Sequence, residues 1–348
     1  DGYAVLSHEV AIATADNPVR LCCLGTIGAG EKKDIKVQPG TAVKVLTGAR
    51  IPTGADAVVS EEFVKSEGSD VLIGIFAEPG RNILPRGSDV ALGKCILLSG
   101  QFISPGIAGL LAAAGHSIIS VVKNPIVGII GTGDEIVEPG QPLTEGKLYA
   151  SNITTIAGWC NKHKMKALTV IVKDDHAAML IALKSLAGKT DALITSGGAW
   201  TGDRDMVAKV LDELGWKQTF HRIRIGPGKA VGFGTLNEKP VFILPGGPSS
   251  NVMGFLQIAL PGLHALSGYS NPGLPWINAR LDSELKGRES DWTQFFLGTL
   301  EHTSELPIFH PLKRLSRLTS ISDATAIASI PEGEDRLQEG SVVSVQLI

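Results

Sequence analysis

Carboxylates and glycine pairs stand directly behind apolar runs of strand length, and that placement gives them chemical meaning. The run 126–130 (IVGII) leads into Gly131-Thr132-Gly133-Asp134-Glu135. The run 191–195 (DALIT) leads into Ser196-Gly197-Gly198 and on to Asp205, and the run 240–244 (PVFIL) into Pro245-Gly246-Gly247-Pro248-Ser249. Glycines let backbone amides approach a phosphate, and carboxylates hold Mg²⁺ against it. In open α/β sheets ligands collect beyond the carboxyl ends of the strands, where helix N-termini offer unpaired N–H groups. Each loop alone has a plainer explanation as a tight turn, with Asp203 or Ser249 as a helix N-cap. Three such loops, two of them with carboxylates, point instead to a small molecule that bears phosphate. Lys229, in Ile225-Gly226-Pro227-Gly228-Lys229-Ala230, follows another β-type run. On its own it reads as a solvated surface lysine.

The elements that must position these loops follow from the rhythm of apolar residues. Four continuous runs, the three above and 167–172 (ALTVIV), alternate with helix-period stretches at 151–162, 175–187, 203–214 and 248–266. Unbroken β-branched strands alternating with helices imply a buried, mostly parallel sheet with helices on its faces. Residues 1–98 carry short β-type runs (43–46, 57–59, 71–76) between Gly and Pro turns, the pattern of a compact all-β module. Ser104–Gly115 opens with Ser-Pro and closes on Gly, which predicts a short capped helix. Beyond a Pro/Gly-rich stretch at 270–275, the last 70-odd residues return to short β signals and end in SVVSVQLI, a small β module.

Bulk properties narrow the choice further. At 348 residues, with 43% hydrophobic and 19% charged residues, the chain is a globular sequence of two or three domains. A net charge of −3 and the absence of a Lys/Arg-dense stripe give nucleic-acid binding little support. No apolar segment approaches the roughly 18 residues needed to span a bilayer. No signal-peptide pattern opens the chain, and the four cysteines (Cys22, Cys23, Cys95, Cys160) contain no C-x-x-C pair. A cytoplasmic protein with free thiols is expected. The first residue is Asp1 rather than Met, so further N-terminal sequence is expected.

The motifs together resemble one family. GTGDEIVEPGQPLTEGKLYASN (131–152), TSGGAWTGDRDMVAKVLDELG (195–215), PGKAVGFG (227–234) and LPGGPSSNVMGF (244–255) follow one another as in the MoeA/gephyrin E-domain family, the molybdopterin molybdenumtransferases. DGYAV (1–5), KVLTGARIPTGADAVV (44–59) and RGSDV (86–90) resemble that family's second domain. Nearly the whole chain is covered, the C-terminal 75 residues least distinctively. The resemblance implies an α/β plus β multidomain protein: an N-terminal β domain (1–98), a connecting helical segment (99–123), a central three-layer α/β molybdopterin-binding domain like MogA (124–268) and a small C-terminal β-barrel (272–348). It also implies insertion of molybdate into adenylylated molybdopterin with release of AMP, dependent on Mg²⁺. The site would lie in a cleft of a homodimer, with a molybdoenzyme or a MogA-type protein as a further partner.

Carried over by motif position, the resemblance implies catalytic roles for Asp1, Thr47, Asp89, Glu135, Asp174 and Asp205, with Asp1, Glu135 and Asp205 on the metal. Gly131, Thr132, Gly133, Asp134, Ser196, Gly197, Gly198, Lys229, Pro245, Gly246, Pro248 and Ser249 would contact the pterin nucleotide or oxyanion. The chain departs from the family at Gly226, where a lysine is usual, at Gly247, where asparagine is usual, and at Trp200 and Thr201 within the Ser-Gly-Gly loop. Losing one cation beside an oxyanion would cost about 1–3 kcal/mol of binding. Arg222 or Arg224 are candidates to replace it, since guanidinium groups bind anions bidentately. Trp200 could stack on a pterin or adenine ring, or fill a core. Two other readings stand beside the enzyme: a non-catalytic relative that carries the pterin or its nucleotide, and a nucleotide-processing enzyme sharing only the α/β domain. The last leaves the DGYAV, LTGA and RGSD matches unexplained.

Overall fold

Short β-type runs broken by Gly and Pro become a mixed sheet in the first of the two units into which the chain divides. That unit comprises Asp1–Leu97 with Ile103–Ile118, and the second comprises Leu98–Phe102 with Ile119–Ile348. The structure, a computed structural model, describes residues 1–197, 206–312 and 317–348. In the first unit β1 (Gly2–Val5), β2 (Val19–Ile27), β3 (Thr41–Val45), β4 (Ala57–Ser60), β5 (Val64–Glu67) and β6 (Asp70–Ile73) form one sheet in the order β4-β1-β3-β2-β6-β5. Its strands bury Tyr3, Val5, Leu21, Val59 and Ile73 on one side and Ala4, Ile27, Val43 and Val58 on the other. Helix α1 (Pro105–Ala113) starts where Ser-Pro predicts: Ser104 Oγ accepts the Ile107 N–H at 3.3 Å.

The second unit is built on a six-stranded sheet. Its strands are β7 (Ile126–Thr132), β10 (Lys166–Val172), β11 (Ala192–Ser196), β12 (Lys217–His221), β14 (Gly232–Leu236) and β15 (Lys239–Leu244), in the order β10-β7-β11-β15-β14-β12. The first four run parallel, and β14 turns back antiparallel to β15 and β12. Alternation of side chains across each strand sends neighbours to opposite faces. Ile129, Ile194, Phe242 and Leu244 meet α2 (Ser151–Lys162) and the helical run from α5 (Pro248–Gly254) to α6 (Leu260–Leu266). Ile130, Leu193, Val241 and Ile243 meet α3 (His176–Ala187) and α4 (Met206–Glu213). Three layers result because every central strand is apolar on both faces.

The predicted helix 248–266 is interrupted. Between α5 and α6 the chain widens into a π-turn, Phe255–Ala259, with the Leu260 N–H bonded to Phe255 O. Pro261 has no N–H with which to continue the α-helical ladder, and the wider turn precedes it. Two-residue pairings complete the frame: β8 (Ile136–Val137) with β9 (Leu148–Tyr149), and β13 (Ile225–Gly226) with the C-terminal sheet.

That C-terminal sheet comprises β16 (Trp276–Leu281), β18 (Thr293–Glu301), β19 (Ile308–Pro311), β20 (Ala326–Ile330) and β22 (Val342–Leu347). The order β18-β19-β16-β22-β20 closes because β20 also pairs with β18, which gives a five-stranded barrel around Leu281, Phe309, Ile330 and Val345. The antiparallel pair β17 (Leu285–Lys286) and β21 (Arg336–Leu337) and helix α7 (Arg317–Asp323) flank it. All four cysteines are free thiols. Among the described residues no helix is long and apolar enough to cross a membrane.

Candidate active site

The register of the parallel strands decides where the loops emerge. Val172 lies opposite Thr132, and Ser196 lies opposite both Gly131 and Leu244. The loops after β7, β10, β11 and β15 therefore leave from one edge of the sheet, as the apolar runs imply.

The first loop carries the acidic part of the site. The Gly133 N–H donates to Val172 O at 3.3 Å, the Ile136 N–H returns to Gly133 O at 3.2 Å, and the Leu148 N–H holds Glu135 O at 2.8 Å. Lys147 Nζ spends itself on the Asp134 carbonyl at 2.6 Å, which leaves the Asp134 carboxylate to accept the Asp174 N–H at 3.2 Å. The two aspartates of Lys173-Asp174-Asp175 thus part company. Asp175 Oδ1 caps α3 through the Ala178 N–H at 2.8 Å. Asp174 faces the other carboxylates: burial first, then the charges of Asp134 and Glu135, push its carboxyl above the usual carboxylate range. Among the described residues no group of three or more His, Cys, Asp or Glu side chains is placed so that it could hold a metal ion. Asp134, Glu135 and Asp174 are hard oxygen donors of the kind Mg²⁺ takes, but on their own they do not complete a site for it.

The second and third loops are tied to each other through two asparagines that the sequence reading did not single out. Asn251, 1% exposed, donates from Nδ2 to Ser196 Oγ and to Pro245 O, both at 2.9 Å. Asn152 Nδ2 donates to Gly246 O at 2.7 Å. Ser196 is therefore a buried brace that accepts Asn251, and both amides hold the 245–246 peptides in place. Asn152 closes the quoted motif 131–152 and Asn251 lies within the quoted motif 244–255, the one signal that could have found them. Gly197 sits at φ +107° against Thr132, where an added Cβ would lie 2.6 Å from Thr132 O, so only glycine fits the close approach. Gly131 answers to packing: it is buried beneath α2, and an added Cβ would run into Ile153. Ser249 is not the helix cap, since Gly247 occupies that position with Pro248 after it.

Positive charge gathers on the other side of the third loop. A cleft of about 360 Å³ is lined by Gly247, Ser249 and Ser250 from this loop, by Pro227, and by Arg288, Phe295, Arg317 and Ser320 from the C-terminal part. Neither Arg288 nor Arg317 forms an ion pair with a described residue. The sequence reading missed both arginines. Of its own candidates, Arg224 is paired with Glu332 at 2.6 Å, and Arg222 is exposed with φ +62°. The Lys229 ammonium lies over the Trp292 ring, 5.3 Å from its centroid. Gly226 faces the same ring: an added Cβ would lie 3.8 Å from Trp292 Cε3 and from Gln294 Cγ, so a lysine there would have to extend past the indole.

Within the first unit, the Thr47 N–H donates to Asp1 Oδ1 at 2.7 Å, which unites two of the predicted residues. Asp89 stands exposed, and no hydrogen bond or ion pair of its carboxylate joins it to them. Gly198, Trp200, Thr201, Asp203 and Asp205 lie outside the described residues.

Fold and site together define a class: a three-layer α/β domain with acidic and glycine-rich loops at its strand ends, followed by a small barrel that contributes arginines. Comparison with known proteins gives the class its family. Residues 1–115 match the family described as "MoeA N-terminal region (domain I and II)", residues 128–265 the "Probable molybdopterin binding domain", and residues 278–348 the "MoeA C-terminal region (domain IV)". The chain is 31% identical over 355 residues to the molybdopterin molybdenumtransferase of Bacillus subtilis, covering 100% of this chain and 82% of that protein. It is also 31% identical to molybdopterin molybdenumtransferase 2 of Mycobacterium tuberculosis, over 99% of this chain and 86% of the relative. A crystal structure of a molybdopterin biosynthesis MoeA protein from Pyrococcus horikoshii superposes with a TM-score of 0.82 at 28% identity, covering 100% of this chain and 86% of that one. This chain belongs to the MoeA family.

Proposed function

We propose that this protein is a molybdopterin molybdenumtransferase of molybdenum cofactor biosynthesis, which places molybdenum from molybdate on adenylylated molybdopterin and releases AMP in a Mg²⁺-dependent step. The observation that carries this reading is the third strand-end loop. Its 245–246 peptides are braced to Ser196 and α2, on the edge that also bears Asp134, Glu135 and Asp174, while Gly247, Ser249 and Ser250 line the cleft with Arg288 and Arg317. One loop thus touches an edge suited to a cation and a phosphoanhydride and a cleft suited to a tetrahedral oxyanion.

Glu135 would receive Mg²⁺, with Asp134 and Asp174 beside it and Asp1 and Asp205 as further ligands carried over from the family. When bound, Mg²⁺ neutralises charge on the phosphoanhydride. The rest is positioning and charge stabilisation, as in phosphoryl chemistry generally. The exposed backbone of Gly246 would let the nucleotide approach, while Gly131 and Gly197 serve the packing of the strand ends. Asp174, whose carboxyl holds its proton more readily than a free one, is suited to take a proton from attacking water. Arg288, Arg317 and Ser249 would hold molybdate, with Lys229 and its indole platform on the segment that carries Pro227 of the cleft wall.

The protein works, on this reading, as a homodimer in which Asp1, Thr47 and Asp89 of a second copy complete the site. Support comes from α1, whose sequence PGIAGLLAA is almost wholly apolar while none of its nine residues is buried. An uncovered apolar helix suits a protein–protein contact. The test is a titration with adenylylated molybdopterin followed by addition of molybdate and Mg²⁺. AMP release supports the enzyme; tight binding without AMP supports a carrier; no binding rejects both.

A further inference from the structure

The turn that presents Arg288 is held by one buried amide. Gln294 is 7% exposed, and its side chain brackets the Arg288 peptide on both sides. The Arg288 N–H donates to Gln294 Oε1 at 2.6 Å, and Gln294 Nε2 donates to Glu289 O at 2.7 Å. The glutamine carboxamide offers an acceptor and a donor on one plane, which is what these two bonds require. Gly287, just before, leaves room for that amide, since an added Cβ would collide with Gln294 Nε2. Its own N–H is anchored to Asp335 O at 2.7 Å. Gln294 also pairs in register with Gly226, next to Pro227 of the cleft wall. Phe295, Phe296 and Leu297 of the same strand line the cleft, whereas Gln294 does not.

We propose that Gln294 is a positioning residue for the oxyanion cleft: by clamping the Arg288 peptide, it fixes where the Arg288 guanidinium meets molybdate. The proposal rests on the reading of the cleft given above. Arg288 is exposed and has no ion pair among the described residues to orient it, so its aim depends on the backbone that carries it. A long cation anchored on a fixed peptide loses less freedom on binding than one on a loose turn. The same strand connects the clamp to the 224–229 loop: the Thr293 N–H donates to Arg224 O at 3.0 Å, and Trp292 carries Lys229. Arg288 and Lys229 are thus held by residues at and just before the start of β18, with Gln294 as the fixed point.

The experiment uses the full chain with four variants: Gln294→Met, which removes both bonds at similar length, Gln294→Glu, which keeps the acceptor for the Arg288 N–H, Arg288→Ala, and the double variant Arg288→Ala/Gln294→Glu. Molybdate affinity is read by calorimetry, and the KM values for molybdate and for adenylylated molybdopterin are measured separately. Gln294→Met is expected to weaken molybdate binding about tenfold, the loss of two buried hydrogen bonds in the supporting turn, and Gln294→Glu by at least as much, since it sets a carboxylate oxygen against Glu289 O. The KM for the pterin nucleotide is expected to stay within about twofold, and Gln294→Glu to add nothing once Arg288 is gone. Unchanged molybdate affinity in both Gln294 variants, with Arg288→Ala impaired, overturns the proposal and leaves the cleft reading standing. Equal loss of both KM values and of thermal stability overturns it too, by making Gln294 merely structural. Should Gln294→Met fail to fold, Gln294→Glu and the double variant decide the matter alone. Wild-type molybdate binding by Arg288→Ala overturns the cleft reading, and the proposal with it.

Discussion

The acidic strand-end edge and the arginine-lined cleft differ in how their charges are held. On the edge, Asp134, Glu135 and Asp174 are fixed by main-chain hydrogen bonds and crowd one another. In the cleft, Arg288 and Arg317 have no counter-ion among the described residues. One region crowds like charges, and on the proposed reading a cation would relieve them; the other holds unpaired cations, and on the same reading would take an anion. On the proposed reading the difference divides the site by charge into two half-sites, with the loop 245–251 as their common wall.

Variants that strike one half should spare the other. The largest effect is expected from Glu135→Gln, which should slow AMP release on the order of 10²-fold while molybdate affinity stays near wild type; stopped-time AMP assays and calorimetry check this. Arg288→Ala should weaken molybdate binding by about ten- to a hundredfold, the loss of a charge-assisted hydrogen bond of about 1.5–3 kcal/mol, with binding of the Mg²⁺-nucleotide kept. Asn251→Ala should behave differently from both. It leaves Ser196 Oγ and Pro245 O without their shared donor and should cost about 1–3 kcal/mol of stability, read as a lower urea midpoint, and should impair both half-sites together because it unties their wall.

The smallest effect concerns pH. The Asp174 carboxyl is raised in the folded protein, so the folded state binds its proton more tightly than the unfolded state does. Its contribution to stability is then present at acid pH and is lost as pH rises through its folded value. Urea midpoints of the wild type should decline slightly across that window. Asp174→Asn should flatten the decline and raise the neutral-pH Tm by about a degree or two while activity falls.

Much of the edge was legible from sequence, because strand-length apolar runs, glycine pairs and carboxylates are local signals. The helix 151–162 matches α2 residue for residue, and the loops after β7, β11 and β15 emerge where the runs end. The cleft was not legible. Arg288 lies in a turn between two β segments of the least distinctive stretch, and its meaning depends on residues about forty positions earlier in the chain. Asn152 and Asn251 read as ordinary helical polar residues until the fold brings them to Ser196 and Gly246. The break at Phe255–Ala259 was foreshadowed only by Pro261, which a periodicity count passes over.

The division of labour between the two half-sites is tested most directly by a crossed titration. Molybdate and Mg²⁺ with adenylylated molybdopterin are each titrated against wild type, Glu135→Gln and Arg288→Ala. Two half-sites predict that Arg288→Ala loses molybdate and keeps the nucleotide, while Glu135→Gln keeps molybdate and loses the Mg²⁺-dependent part of nucleotide binding. Both variants losing both ligands equally, or neither losing either, would contradict it.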